Sequence, residues 1–482
     1  MGRRTLMQER LAQGRLCREG LLSAEAAADL WARVEAEGIE TVRMVFADAH
    51  GILRGKTLTL RGLAGALTNG MRVPSTLLLK DLSHRTVFPI WTEEGGAPMA
   101  GASDLMLVPR PETFTPLPYS PHSALVLCEP RYPDGRTIPF SSHSLLQGAV
   151  DRLSGRGLRA VMGLEVEFQV FEVTDPALDH ADATMPSRPP ATRGLNQGWQ
   201  YLTETRYDAV EPLMDKLRRT AEAMGLPVLS VEVEMGPSQF EFTFDASDPV
   251  TIADRAVLFR TLVKEVCARD GLLASFMAKP RVENAAANGW HIHQSVTDSA
   301  GTNLFAPDDT GQLTPTASGW IAGLLEHARA SCIATTPTVN GYKRYTPFQL
   351  APNRIGWGKD NRGAMLRALM APGDRASRVE NRVADSTANP YFALAFQILS
   401  GLDGIAEART APAPLGNPYD EGAERLPATL GEAIAAFETC QMYRKTLGDE
   451  TVAYLATLKR AEWDRYLSSI SEWEQAEYFT AF

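Results

Sequence analysis

The chain has 482 residues, 44% of them hydrophobic, with 48 Lys and Arg against 58 Asp and Glu for a net charge of −10. That balance suits a globular protein of roughly two to four domains with a large core, and it argues against nonspecific nucleic-acid binding. No apolar run approaches the roughly 20 residues that cross a bilayer. The opening MGRRTLMQERLAQG lacks the apolar segment of a secretory signal, and the 5 cysteines have no C-x-x-C spacing, as expected of reduced thiols in a cytoplasmic protein.

Residues 5–36 read as a helical N-terminal extension (1–36), with Ser23 an N-cap and Gly38 a stop. TVRMVFAD then alternates, and His50-Gly51 turns it into ILRGKTLTL, a hairpin opening a small α+β domain over 37–118. The proline-spaced RPETFTPLPYSPHS marks the boundary to a large domain over 119–482. There, strands are expected at 124–129, 160–172, 228–234, 239–244 and 290–296, and helices at 142–156, 208–224, 249–270 and 315–333. A loop over 174–198 is long enough to serve function. Asn389 and Pro390 are placed as N-cap and first residue of the helix PYFALAFQILSGLDGI, and the tail from Glu450 is helical.

Four strands carry acids or imidazoles on one face. In GLEVEFQVF, Glu165 and Glu167 oppose Leu164, Val166 and Phe168; in VEVEMGPSQFEFTF, Glu232 and Glu234 precede a turn and Glu241 returns. In NGWHIHQS, His291 and His293 share a face with Ser295, and in SRVENR Glu380 stands between Arg378 and Arg382. Side chains alternate across a strand, so each polar set points one way. Singly, each set is explained by a solvated face or a surface ion pair. Together, around one cavity, the carboxylates need cations, and their oxygens with an imidazole favour Mg²⁺ or Mn²⁺. Arg344, Arg362, Arg367, Arg375, Arg378 and Arg382 supply forked donors for phosphate and carboxylate. Acids for metals beside arginines for phosphates point to ATP-dependent activation of an acid, with no G-x-x-x-x-G-K-[ST] loop to hold the nucleotide.

These motifs run in order with N-x-Y-K-R at 340–344, W-G-x-D-N-R at 357–362 and A-N-P-Y at 388–391, and so the chain resembles the glutamine synthetase family over nearly its whole length. The resemblance implies a small N-terminal β-grasp domain and a large α+β catalytic domain, whose antiparallel sheet lines a bifunnel around two divalent metals. It implies a homo-oligomer of stacked rings, a dodecamer, with active sites shared between neighbours. Glu167, Glu234 and Glu241 match the ligands of one metal, and Glu165, His291 and Glu380 those of the other. His293, Ser295, Arg375 and Arg378 match nucleotide contacts. Arg344 and Arg382 match residues that hold the glutamate carboxylates, with Glu167 and His291 also at the substrate, and Arg362 and Arg367 match those facing the transferred phosphate. The implied reaction forms γ-glutamyl phosphate from L-glutamate and ATP, and an amine then displaces phosphate. Tyr419, in NPYDEG, resembles a tyrosine that some bacterial relatives have nucleotidylated. A loop tyrosine beside Asn-Pro is usually structural, and both readings stand.

The departures concern the amine. Family members that make glutamine place one acid in a D-G-S-S segment and another after K-R, and both serve ammonium. Here the first segment is Val73-Pro74-Ser75-Thr76, and Leu350 in RYTPFQLAP takes the second position. Ala286 and Ala287 replace an Asn-Gly pair on the glutamate side. Leu and Pro in place of carboxylates disfavour a cation and favour hydrocarbon, at about 0.8 kcal/mol per buried CH₂. The expected acceptor is an organic, apolar, even aromatic amine. The alternatives are an ammonium-using glutamine synthetase, whose acid lies elsewhere in the sequence, and a noncatalytic assembly protein on the same fold, whose mark would be missing metal ligands.

Overall fold

The computed structural model describes residues 3–91, 99–346 and 350–482. The alternating stretches form two sheets. The smaller contains β1 (Thr41–Ala47), β2 (Leu53–Thr59), β3 (Met71–Pro74), β4 (Asp104–Pro109), β5 (Thr115–Pro116) and β6 (Ser123–Arg131), in the order β2-β1-β6-β4-β3 with β5 beside β6. The β1–β2 hairpin turns at Gly51, whose φ of +71° suits glycine. A Cβ there would meet Pro390 Cδ at 3.1 Å, so the missing side chain also lets the turn approach the large domain.

The boundary expected at residue 118 falls inside this sheet. β6, read as the first strand of the large domain, runs parallel to β1 and antiparallel to β4. The proline-rich stretch before it is therefore a turn within a sheet. SALVLC is apolar on both faces, as a central strand is, and nothing in it names the sheet it joins.

The larger sheet contains β7 (Arg159–Asp175), β8 (Ala191–Gly194), β9 (Val228–Val233), β10 (Gln239–Ser247), β11 (Leu272–Ser275), β12 (Trp290–Thr297), β13 (Trp357–Lys359), β14 (Leu366–Leu369) and β15 (Arg378–Asn381). Its order is β13-β14-β15-β12-β7-β10-β9, with β8 and β11 also on β7; only β13–β14 is parallel. One face is a phenylalanine cluster. Phe168, Phe240, Phe242 and Phe244 are buried, and Phe259 of the helix Pro249–Arg269 packs 5.0 Å from Phe242 and 5.8 Å from Phe168 between ring centroids. Each such ring contributes about 1.5–3 kcal/mol by leaving water, enough to fix the polar residues of the same strands on the other face.

Capping residues behave as their chemistry requires. Ser23 Oγ accepts from Ala26 N at 3.0 Å, and Asn389 Oδ1 from Tyr391 N at 3.0 Å, starting the almost wholly buried helix Pro390–Ala406. Long helical stretches are broken more often than expected. Residues 315–333 become Pro315–Glu326 and Ala328–Thr335 around His327, and the tail divides into Asp449–Leu467 and Glu472–Tyr478. No helix among the described residues is long and apolar enough to cross a membrane.

Candidate active site

Strand register assembles the site. Glu165 on β7 lies opposite Thr243 of β10 and His291 of β12. Glu167 lies opposite Glu241, which in turn faces Glu232 on β9. One row further, His293 faces Glu380 of β15, and Glu380 faces Arg367 of β14. Gly163 stands opposite His293, where a Cβ would come within 3.0 Å of His293 Cβ, so the glycine leaves room for the imidazole. The three acidic strands and the histidine strand therefore share one face over a cavity of about 580 Å³.

Hydrogen bonds settle the imidazole roles. Arg378 Nε donates to His293 Nδ1 at 3.0 Å, so the proton of His293 sits on Nε2, which donates to Glu165 Oε2 at 2.8 Å. Both nitrogens are then used, and no lone pair remains for an ion. His291 differs: its Nδ1 donates to Glu165 Oε1, leaving the Nε2 lone pair free, 3.8 Å from Glu167 Oε1. Orientation through one nitrogen with the other open is the usual arrangement of a metal-binding histidine.

The donor set fits a divalent cation. Ligand atoms of Glu165, Glu241 and His291 lie within 4.8 Å of one another, as do those of Glu232, Glu234 and Glu241. Burial and the neighbouring Glu165, Glu167 and Glu234 hold the Glu241 carboxyl well above its usual range. Burial and Glu234 do the same to Glu167, and burial with Glu232 lifts Glu234 to about 7. Buried carboxylates that repel one another need a cation among them. Glu165 is the exception, since its hydrogen bonds with His291 and His293 outweigh burial and hold it low. Burial and Arg382 push His291 itself down, toward the neutral form an ion requires.

The groups differ from the pairing that the resemblance implies. Glu241 belongs to both, Glu232 joins Glu234, Glu380 falls with Glu165 and His293 in a third group within the same distance, and Glu167 is in none. Glu380 is clamped by Arg367 Nη1 at 3.0 Å and by Arg382 Nη1. Glu167 Oε2 accepts from Gln239 Nε2 and Gly289 N, both at 2.9 Å. Among the arginines, Arg344, Arg362, Arg367 and Arg382 line the cavity. Arg344 turns part of its guanidinium inward, donating to the carbonyls of Gly341 and Val383. Arg375, Arg378, Ser295 and His293 lie outside its walls, beyond Glu165. Arg378 there bonds His293, and the Arg375 carbonyl accepts from Asn303 Nδ2 at 2.9 Å.

Leu350 lines the cavity, 40% exposed, with a φ of +53° that leucine rarely adopts. Residues 347–349 of the same loop lie outside the described residues. Ala286 and Ala287 also line it; Pro74, on the edge strand β3, is exposed and does not reach its own chain's cavity. Tyr419 packs against the turn at Gly363, its hydroxyl 3.3 Å from where a Cβ would stand. Sequence reasoning missed Trp199, Tyr201 and Leu202, which line the cavity and are 45%, 52% and 55% exposed. They follow the long loop, and Trp199 is held by Nε1–H donation to Asn284 O at 3.0 Å. The one available signal was an aromatic pair in a segment otherwise rich in polar residues.

Register-built carboxylates, an open imidazole and convergent arginines over one cavity define a ligase that activates a carboxylate with ATP. A profile described as "Glutamine synthetase, catalytic domain" matches residues 141–478. Over 478 residues, 94% of this chain and 96% of the relative, the chain is 35% identical to a gamma-glutamylanilide synthase of Acinetobacter sp. It is 32% identical over 457 residues to a gamma-glutamylethanolamide synthetase of Streptomyces coelicolor, covering 94% of this chain and 95% of the relative. A solved structure described as "Apo GmaS without ligand" superposes with a TM-score of 0.79 at 28% identity, covering 94% of this chain and 99% of that one. The chain belongs to the glutamine synthetase family.

Proposed function

We propose that this protein joins the γ-carboxyl of L-glutamate to an organic amine at the expense of ATP, through γ-glutamyl phosphate. The observation that carries this reading is the apolar part of the cavity wall. Leu350, Trp199 and Leu202 line the same cavity as the carboxylates, where ammonium would need an acid. An aromatic or alkyl amine exchanges water for that wall, and an aromatic amine arrives already neutral. The gamma-glutamylanilide synthase and gamma-glutamylethanolamide synthetase relatives support an amine larger than ammonium.

The resemblance to the family supplies the roles proposed for each residue. Glu165, Glu167, Glu234, Glu241, His291 and Glu380 would hold Mg²⁺ or Mn²⁺, which supplies charge neutralisation for phosphoryl transfer. Arg362 and Arg367 face the transferred phosphate, Arg344 and Arg382 orient glutamate, and His293, Ser295, Arg375 and Arg378 bind the nucleotide. Bringing the γ-carboxylate in line with the terminal phosphate is an effect of position, fixed by the strands. The small sheet is read as a β-grasp domain in a cytoplasmic ring-shaped homo-oligomer, with Pro74 of a neighbouring subunit completing the amine pocket. Its exposure on an edge strand, away from its own cavity, supports that reading.

Glu232 favours the second reading, an ammonium-using synthetase, because it is a further carboxylate in the cavity. A panel of ammonium, alkylamines, aniline and polyamines, followed by phosphate release with glutamate and ATP, separates the two. Organic amines should give the higher kcat/KM. Preference for ammonium, lost on Glu232→Gln, would establish the second reading instead.

A further inference from the structure

A second cavity, of about 290 Å³, lies where the β1–β2 turn meets the helices Pro249–Arg269 and Asp449–Leu467. Its ionisable lining is basic: His50, Arg260, Lys264 and Lys459 contribute, and no carboxylate does. Lys459 is only 6% exposed, yet among the described residues it makes no hydrogen bond or ion pair. Arg260 spends one donor on Ala388 O at 2.8 Å and has no carboxylate partner among the described residues. His50 gives its Nε2 proton to Lys80 O at 3.0 Å, leaving a buried Nδ1 without a partner.

The nearby acids, Glu462, Asp48 and Asp385, are engaged elsewhere. Glu462 Oε1, one helical turn from Lys459, accepts from Val339 N at 3.0 Å. Asp48 accepts from His50 N, Ile52 N and Arg54 Nε at 2.8, 3.0 and 2.9 Å. Asp385 accepts from Thr387 N at 2.9 Å and pairs with Arg344 at 3.8 Å. A buried ammonium without a counter-ion is costly, whereas one facing a ligand-sized cavity has room to acquire an anion. The rest of the lining decides which anion. Leu273, Phe276, Met277, Ile333, Phe392 and Leu455 are hydrocarbon, which favours an apolar body over inorganic phosphate.

We propose that this cavity binds a small organic carboxylate with an apolar body, its carboxylate taken up by Lys459 and Arg260. The site is separate from the acidic cavity and does not depend on which amine is the acceptor. Calorimetric titration of the full-length protein with 3-phenylpropanoate tests it, with 3-phenylpropanamide and inorganic phosphate as comparison ligands. The carboxylate should bind with one site per chain, the amide should not bind measurably, and phosphate should not displace the carboxylate at equal concentration. Lys459→Met, which keeps the volume and removes the charge, should weaken binding at least tenfold, while Lys459→Arg stays within about threefold. Ligase activity without the carboxylate should be unchanged in both. Should Lys459→Met fail to fold, Lys264→Ala at the exposed rim should weaken binding severalfold. Undiminished binding to whichever variant folds, equal binding of the amide, or displacement by phosphate alone would overturn the proposal.

Discussion

The two ends of the acidic cavity are built differently. At the metal end every side chain except Glu234, which directly follows β9, stands on a strand, and its neighbour across the ladder is set by register. At the amine end Trp199, Tyr201, Leu202, Ala286 and Leu350 all come from segments outside the strands. A strand cannot shift by one residue without turning its phenylalanines to water, so the ligand set is held in place by the core beneath it. A loop has no such penalty, which leaves the amine end free to take different acceptors on the same scaffold.

This contrast is broken most easily at the metal end. Glu241→Gln and His291→Ala should each reduce ATP turnover at least about a thousandfold, since charge neutralisation of the phosphoryl group is lost. Light scattering should give each variant the same mass as the parent. Glu241→Gln also removes a repulsion, so the metal-free variant should melt above the metal-free parent and should no longer gain stability from Mn²⁺. Normal turnover in either variant would remove the metal assignment.

The amine end should respond in preference and not in competence. A carboxylate about 4 Å from a cation contributes up to about 4 kcal/mol at an effective dielectric near 20. Even a quarter of that after desolvation shifts relative kcat/KM about fivefold. Leu350→Glu should therefore raise the ratio of kcat/KM for ammonium to that for the best organic amine by about that factor. An unchanged ratio in an active protein would take Leu350 out of the acceptor pocket. Trp199→Ala should cost a few-fold in KM for the best apolar amine and leave ammonium untouched, and equal loss for both would mean that Trp199 only holds the loop.

The smallest effect is on stability. With metal chelated, Glu234 titrates near 7 in the folded chain against about 4.3 when unfolded, so the native state holds its proton more tightly. The resulting penalty is fully present above the folded value and fades as pH falls. His291 has the opposite sense: its depressed value destabilises the fold only once pH drops below the unfolded value of about 6.5. Tm of the chelated protein should therefore rise by about one degree between pH 8 and pH 6.5, measured calorimetrically. A flat profile would mean that Glu234 is already compensated without metal.

The same contrast explains what the sequence disclosed. Glu165 alternating with Val166, or His291 with Ile292, states a face directly, and the strand partners then follow from which apolar faces must meet. Nothing local states that Trp199 closes on Asn284, because that contact joins segments 85 residues apart with no shared periodicity. The division at 118 failed for a related reason: a strand buried on both faces shows that it is central, not to which sheet. His293 was placed with the nucleotide on resemblance, while its tautomer, set by Arg378, exists only in three dimensions.

The turn from Asp385 to Asn389 reaches both sheets. Ser386 Oγ donates to the carbonyls of Glu167 and Gly289 at 2.6 and 2.9 Å, and Asn389 Nδ2 donates to Asp48 O at 3.0 Å and Ser142 Oγ at 2.8 Å. Five consecutive residues thus tie the strand that carries the acids to the hairpin of the small sheet. The two sheets are braced like beams sharing one bolt, and neither can melt without exposing the other's buried backbone. Denaturation of the chain should accordingly be a single cooperative event for both sheets, with amide exchange at Glu167 and at the β1–β2 turn governed by the same opening.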